Sequence, residues 1–434
     1  MAAPASTSAT VRPGLTGALA ILLVAPLLSQ ADATIANVAT PSIRADLGAS
    51  GLASLLCGLA PSASVLVLAR VLQGAAAALM FPQTLTGIQL NFTGLERLRA
   101  IGLYAVALSS GAVLGQILGG VLISADIAGS AWRQIFLVNV PICLAALVVG
   151  QRLLPPDERR TTRHVDLAGV LTLSVAILLV VVPLTLGRDE GWPAWTWASL
   201  AGSLPAAWGF LLTQRREATG GGSPLINTAV VGRPPILLGL LALLTATGTY
   251  YGLLFSLAQY FQQGLGRSVL SSGLILVPWV AAFGAAGQIT RRLPGRLAPI
   301  LPAAGYLLLA GAYLAIGTVL LATRPSDVLL VALLACGGLG LGTGFATLIA
   351  HVTNAVPQRY APDISGVSTT TLLIGGAIGV AGFGSLYLGL TPGAGADTAS
   401  HGFAITSLAL GATALVAAVA AYLATNTWSE RPAG

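Results

Sequence analysis

One acidic and one basic side chain lie inside otherwise apolar stretches of this chain. Asp32 falls within the apolar residues 14–39, and Arg70 falls within the apolar residues 64–85. A charged group in hydrocarbon costs about 3 kcal/mol or more, so by default it is functional or paired. A carboxyl group in a dry cavity near an arginine can take up a proton in one environment and release it in another. Asp32 and Arg70 are therefore candidate proton-coupling residues, and the alternative is a salt bridge that only joins two helices.

The composition requires that most of the protein surface faces lipid. Hydrophobic residues make up 55% of the 434 positions and charged residues only 8%, and the mean hydropathy is +0.85. A soluble domain carries about 25% charged residues. Apolar runs near the roughly 20 residues of a membrane span recur along the chain, and helices satisfy every backbone polar group within such runs. The predicted fold class is therefore an all-α, polytopic membrane helical bundle.

Twelve full spans are predicted, together with one apolar run, residues 51–60, that is too short to cross and predicts a short helix at the outer face. The predicted spans are residues 14–39, 64–85, 100–124, 134–154, 167–186, 195–213, 236–261, 270–290, 297–323, 328–352, 366–390 and 403–425.

The arginines are distributed unequally between the two sides of the membrane. All 21 basic residues are arginine; with the N-terminus inside, 15 fall on the inner side, 5 on the outer side, and Arg70 within a span. Cytoplasmic loops carry such an excess of positive charge. We therefore predict a protein of the inner (cell) membrane with both termini cytoplasmic, and the net charge of +7 needs no nucleic-acid partner. In a rival interpretation, residues 12–33 loosely imitate a cleaved secretory signal.

Polar linkers at residues 155–166 and 214–235 divide the predicted spans into three groups. They predict an N-terminal bundle in residues 1–154, a middle pair of spans with its cytoplasmic linkers in residues 155–235, and a six-helix bundle in residues 236–434.

The residue types that support catalysis or metal binding do not cluster in the sequence. Cys57, Cys143 and Cys336 all lie in apolar runs, which predicts small buried residues rather than disulfide partners or metal ligands. The three histidines are not spaced as a metal or catalytic set. We expect no enzymatic activity, no metal and no cofactor. We also expect a monomer that interacts with a small-molecule substrate, protons and the lipid bilayer.

Polar and aromatic residues concentrate in the predicted span 236–261. Tyr250, Tyr251 and Gln259 lie there, and together with Asn37 and Trp279 they are candidate residues of a cavity for planar or amphipathic substrates. The alternative is that they form hydrogen bonds between helices or anchor the protein at the membrane interface.

Three sequence motifs occur in the order typical of one transporter family. The stretch QADATIANVATPSIRADLGAS at 30–50 contains Asp32, LARVLQGAAAALMFP at 68–82 contains Arg70, and GAVLGQILGG at 111–120 carries spaced glycines. They resemble the first-span signature, motif B and motif C of the fourteen-span drug:proton antiporters in the major facilitator superfamily. The resemblance implies an alternating-access carrier that exports drugs or small amphipathic secondary metabolites, driven by the proton gradient, and so a role in multidrug or antibiotic resistance.

The resemblance also implies roles for individual positions. Asp32 would be the first-span acid that titrates or meets a cationic substrate, and Arg70 the motif B arginine tied to proton transfer. Gln73 and Gly74 complete motif B. The motif C glycines are equally typical of a small-xxx-small packing face, and the glutamine within the motif replaces a proline that many relatives have. The motif C helix contact would involve Gly111, Gly115, Gln116, Gly119 and Gly120.

One departure from the family lies between residues 46 and 63. The family has a second span, a loop with motif A and a complete third span here, whereas this chain continues almost directly into the outer half of the third span. By length, about 40 residues of a hairpin are missing. Loss of a whole hairpin preserves the sidedness of the later loops. The gap leaves open a transport-deficient relative of such exporters, and the fold leaves open an uptake symporter.

Overall fold

The computed structural model of this chain describes residues 133–153, 166–188, 190–220, 231–323, 326–354, 360–393 and 395–429. It also describes scattered positions between 52 and 122, within 222–226, and at 356–357. Within these ranges every regular element is a helix. Seven helices among the described residues are long and apolar enough to cross a membrane.

Twelve α-helices are named here in chain order, and a π-helical turn at Tyr260–Gly264 extends the sixth. Their bounds are α1 Ser64–Gly74, α2 Arg133–Leu137, α3 Asn139–Leu153, α4 Leu167–Leu186, α5 Ala194–Thr219, α6 Pro234–Gln259, α7 Val269–Leu274, α8 Val277–Thr290, α9 Leu301–Ala322, α10 Asp327–Asn354, α11 Ala361–Leu390 and α12 Ala396–Ser429.

The described helices follow the predicted spans with two interruptions. Helix α4 has the predicted bounds, and α5 continues six residues beyond the predicted 213. Predicted span 134–154 is divided between α2 and α3, and span 270–290 between α7 and α8. Helices α2 and α7 each end four residues before a proline, Pro141 and Pro278, where the ring would clash with the carbonyl of the turn before. Helices α4 and α5 accommodate internal prolines without a break.

Helices of the C-terminal part pack through glycines. Helix α6 contacts α11 and α12, α9 contacts α10 and α12, and α8 contacts α10. A Cβ atom on Gly340 of α10 would lie 2.6 Å from the Leu309 backbone nitrogen and 2.7 Å from the Gly305 carbonyl oxygen of α9. Lipid is as apolar as leucine, so close backbone approach of this kind is what holds helices together in a membrane.

The middle pair of helices packs against the C-terminal part. Helix α4 contacts α5 and also α11, where the Ser385 hydroxyl donates a hydrogen bond to the Leu184 carbonyl oxygen. Residues 155–235 and 236–434 are thus in direct contact. The three-part division of the chain stays a prediction.

Contacts between distant segments join residues that the arginine distribution assigns to the same side. Arg97 Nη1 donates to Asn354 Oδ1 at 3.4 Å, and both are predicted to be inside. Arg267 donates to both carboxylate oxygens of Asp327 at 2.9 and 2.8 Å, and both are predicted to be outside. These pairs agree with the predicted alternation of ends.

A buried carboxylate organises the end of the middle pair. Asp166, which is 7% exposed, caps α4 by accepting the Gly169 backbone N–H at 2.7 Å. It also accepts the Gln214 amide of α5 at 2.6 Å, and the Gln214 side-chain oxygen accepts the Ile226 backbone N–H at 2.9 Å. Burial alone would raise the pKa of Asp166, but hydrogen bonds from Gly169, Gln214 and the Leu225 backbone hold this pKa below its usual value.

The side chain of one of the three cysteines contradicts the sequence interpretation. Cys57 and Cys143 are buried as predicted, whereas Cys336 on α10 is exposed. In a membrane protein an apolar run does not indicate which of its side chains are buried, because a small apolar side chain is equally stable against lipid and against another helix.

Substituting Gly340 by alanine tests the α9–α10 contact. Its new Cβ meets only backbone atoms, so we expect the free energy of unfolding in detergent to fall by about 1–3 kcal/mol. Gly311→Ala on α9 is the matched control, because nothing lies within 4 Å of its added Cβ. Equal unfolding midpoints for the two variants would contradict the close contact.

Acid should weaken the Asp166 cap. Because the folded-state pKa is depressed, its stabilisation is present above the unfolded pKa of about 3.9 and is lost as the pH falls through the folded-state value. We expect Asp166→Asn to lower stability at neutral pH by about 1–3 kcal/mol and to remove this acid-dependent loss. Unfolding midpoints between pH 7 and pH 3 measure both, with the exposed Glu96→Gln as control. An unchanged acid dependence in Asp166→Asn would exclude the cap as its source.

Candidate functional site

The motif B residues lie on one face of α1. Arg70 and Gln73 are three residues apart, which makes them neighbours on a helix surface. Arg70 Nη1 donates to Gln73 Oε1 at 3.3 Å, and the guanidinium lies 5.4 Å from the centroid of the Phe136 ring. Gln73 is fully buried and Gly74 is half-buried. In this motif the charged guanidinium of Arg70 is therefore hydrogen-bonded to the buried side-chain amide of Gln73.

A short helical segment packs over this amide. The described residues within 51–60 are helical at 52 and 54–58, in agreement with a short helix there. Gln73 Nε2 donates to Ser54 Oγ at 2.8 Å, and the Cys57 thiol donates to Gln73 Oε1 at 3.5 Å. Cys57 also forms a small core with Ala69 and Phe136. The segment is thus fixed to α1 and α2, and its position relative to lipid stays a prediction.

Several predicted site residues fall where the structure gives limited information. Gly111 and Gly115, one helical turn apart, are both helical and buried, as a packing face requires. Their role in motif C stays a prediction, as does the pairing of the predicted acid with Arg70. The predicted residues outside the described ones are Asp32, Asn37, Gln116, Gly119 and Gly120.

A second group of predicted residues meets in the C-terminal part. The rings of Tyr250 on α6 and Trp279 on α8 stack at 6.1 Å between centroids and 19° between planes. Trp279 stacks in turn on Tyr313 of α9 at 6.0 Å and 21°. Tyr251 meets Tyr250 edge-on at 5.2 Å. Tyr104 is 1% exposed and belongs to the same buried core, against which Tyr251 packs. These five residues, Tyr104, Tyr250, Tyr251, Trp279 and Tyr313, are called the ring cluster below.

The sequence identified three of the five residues of this cluster. Tyr250, Tyr251 and Trp279 are brought together, whereas Gln259 lies nine residues beyond Tyr250 on α6, about 13 Å along the helix axis. Its side chain accepts a hydrogen bond from Gln263 at 3.5 Å. The place of Gln259 in a substrate cavity stays a prediction. Tyr104 and Tyr313 were missed, because the sequence around a single tyrosine in an apolar run does not indicate which way its side chain points from the helix.

Two glycines of α10 create the space for Trp279. A Cβ atom on Gly337 would lie 2.5 Å from the indole ring, and one on Gly338 would clash with the Trp279 carbonyl oxygen. The indole is 1% exposed. Its orientation is therefore set by the α8–α10 contact.

Hydrogen-bond donors of the ring cluster are buried without acceptors. Among the described residues, the hydroxyls of Tyr104 and Tyr250 and the Trp279 Nε1 group have no hydrogen-bond partner. An unsatisfied buried donor costs about 1–3 kcal/mol, so such groups call for a physical explanation. The Tyr313 hydroxyl adjoins Thr249. The cluster can thus offer at least three donors and several aromatic faces to a ligand.

Metal chemistry has no visible site in the described part of the chain. No group of three or more His, Cys, Asp or Glu side chains there is arranged to hold a metal ion. The chemistry that the described geometry offers is binding, by ring faces and hydrogen-bond donors.

Comparisons with known proteins agree with one another. The Major Facilitator Superfamily profile matches residues 46–380. The probable actinorhodin transporter of Streptomyces coelicolor is 30% identical over 423 residues, covering 86% of this chain and 72% of that protein. The cephamycin export protein CmcT of Amycolatopsis lactamdurans is 30% identical over 442 residues, covering 89% and 88%. The puromycin resistance protein pur8 of Streptomyces alboniger is 31% identical over 471 residues, covering 93% and 90%.

The helical arrangement is also similar to solved transporter structures. A bacterial homolog of the human lysosomal transporter Spinster, in an inward-facing and unoccupied conformation, superposes with a TM-score of 0.61. That alignment covers 98% of this chain and 100% of the other at 16% identity, which supports the fold alone. With the profile match over most of its length, the chain belongs to the Major Facilitator Superfamily and is a membrane transporter rather than an enzyme.

Proposed function

We propose that this chain is a proton-coupled exporter of antibiotics or similar small amphipathic molecules that works by alternating access. The observation that carries the proposal is the extent of its similarity to named export and resistance proteins. Three such relatives match 86%, 89% and 93% of the chain at 30–31% identity. Similarity of that extent includes both the motif B region and the ring cluster, so it does not rest on one shared segment.

In this proposal, residues of the N-terminal part bind and release the proton. Asp32 would bind and release the proton, and Arg70 would stabilise its charged form. Arg70 is suited to this because its guanidinium is held by Gln73 and by the face of Phe136. A cation over an aromatic ring is attracted by the negative face of the ring. That attraction keeps the arginine ordered without neutralising it.

The membrane arrangement in this proposal follows the arginine distribution. The chain spans the cell (inner) membrane several times, both termini are cytoplasmic, and one copy forms the transport pathway. The support is that Arg97 and Asn354 meet at one end and Arg267 and Asp327 at the other, as the distribution requires. The energy source is the proton gradient, with no bound cofactor.

Residues 51–60 bear on whether transport works without the hairpin that the family has. The contacts of Ser54 and Cys57 with Gln73 bury the polar side chain of α1 at this point. We infer that this short segment substitutes for the hairpin in packing and that the transport-deficient alternative is the less favoured one.

Proton flux in everted membrane vesicles tests the proposal. Puromycin, ethidium or a hydroxyanthraquinone is added to vesicles with an acidic interior, and a pH-sensitive dye reports proton release. We expect release with at least one compound, and we expect Asp32→Asn to reduce it to the level of vesicles without the protein. Asp126→Asn, in a predicted outer loop, is the matched control and should keep the flux.

Two results would contradict this proposal. Full proton release from the Asp32→Asn variant would exclude Asp32 as the coupling acid. No release with any compound in the wild type, but release once a relative's hairpin is inserted between Ser50 and Gly51, would establish the transport-deficient alternative.

A further inference from the structure

We propose that the ring cluster binds uncharged, planar aromatic molecules that carry carbonyl or similar oxygen acceptors on their rings, as quinones do. This inference rests on the proposed export function, and it names the substrate class of that site. The juxtaposition that carries it is a set of stacked rings with buried donors, and the three helices that supply the rings, α6, α8 and α9, carry no charged side chain.

The donors require acceptors on the ligand. The Tyr104 and Tyr250 hydroxyls and Trp279 Nε1 are buried, and none has a hydrogen-bond partner in the described part of the chain. An indole N–H group can only donate a hydrogen bond, so it needs an acceptor atom on the ligand, such as a carbonyl oxygen. A site built to hydrogen-bond a ligand discriminates strongly against an analogue that lacks the matching group.

The rings require a flat ligand. Tyr250, Trp279 and Tyr313 form a continuous stack with planes inclined by only 19° and 21° from one ring to the next. Aromatic groups prefer offset-stacked or edge-on contacts with such faces. Tyr251 is half-buried while the stacked rings are buried, so it marks the side from which a ligand reaches the donors.

Helices α6, α8 and α9 contain no Asp, Glu, Arg, Lys or His. On α10, which packs against the indole, the acidic and the histidine side chains are at the ends: Asp327 is hydrogen-bonded to Arg267, and His351 interacts with the Ala424 backbone. These four helices therefore offer a bound ion no free counter-charge for the hydration that it would lose.

A cationic ligand is disfavoured further by the donors themselves. Ring faces attract cations, but the N–H and O–H hydrogens carry partial positive charge and would repel one. The same hydrogens stabilise a neutral oxygen acceptor. The balance therefore favours an uncharged, acceptor-bearing molecule over a cation of the same shape.

Equilibrium dialysis of the purified full-length protein in detergent tests this inference. The probes are 9,10-anthraquinone, anthracene, which has the same three rings without the carbonyls, and ethidium, a planar cation. We expect anthraquinone to bind about tenfold or more tightly than either other probe, as two or more hydrogen bonds would give.

Variants that remove single donors and keep the rings locate the binding. Tyr104→Phe and Tyr250→Phe should each weaken anthraquinone binding by about 5- to 10-fold, the loss of one hydrogen bond, and leave anthracene binding unchanged. Tyr422→Phe is the matched control, because Tyr422 is 51% exposed on α12.

The outcomes separate this inference from the export proposal, because dialysis needs neither a gradient nor transport. Anthracene or ethidium binding as tightly as anthraquinone, or donor variants that bind anthraquinone like the control, would overturn the inference even if proton-coupled export is observed. Selective anthraquinone binding that the donor variants weaken would support it even in a protein that shows no proton flux.

Discussion

The close approach of helix backbones at glycine is the constraint on which the rest of the structure depends. In lipid, burying an apolar side chain between helices gains little over leaving it in hydrocarbon, so van der Waals contact must supply the association energy. The α9–α10 contact at Gly305 and Gly340 leaves no room for a Cβ atom, and the α6–α11 contact at Gly375 leaves its Cβ only 2.5 Å from the Leu244 carbonyl oxygen. These contacts fix α9 against α10 and α6 against α11, and Gly337 and Gly338 of α10 bring Trp279 of α8 to the same region. The rings of α8 and α9 therefore meet beside α10.

The same constraint explains which parts of the fold could be predicted from the sequence. Span length and composition follow from bilayer thickness, so α4 has the predicted bounds of residues 167–186. Sidedness follows from the arginines, and the Arg267–Asp327 pair agrees with it. The division at Pro278 was missed because hydropathy does not register a lost backbone hydrogen bond. The exposure of Cys336 was missed because hydropathy has no direction around a helix when both lipid and protein are apolar.

The candidate site was predictable only where polarity stood out against an apolar run. Tyr250, Tyr251 and Trp279 were identified in this way and do lie together. Tyr313 completes the stack but is one tyrosine in a run of leucine, alanine and glycine, and its angle around α9 decides its role. Gln259 is also polar but lies about 13 Å beyond Tyr250 along α6. The polarity of a residue thus indicates that it is a candidate, and the packing of the helices decides which candidates lie together.

The lack of charged side chains on α6, α8 and α9 constrains how export could be coupled to protons. A carrier in which a cationic substrate and a proton bind one carboxylate couples them by direct competition. Here the helices α6, α8 and α9 that carry the stacked rings contain no charged side chain, and Arg70 lies on α1 with Gln73. An uncharged substrate cannot displace a proton by charge alone. Coupling in the proposed exporter would therefore require that protonation and substrate binding each favour a different packing of the helices, with no shared carboxylate. The glycine contacts that hold α9 against α10 are then the surfaces that such a change must either preserve as a rigid unit or break.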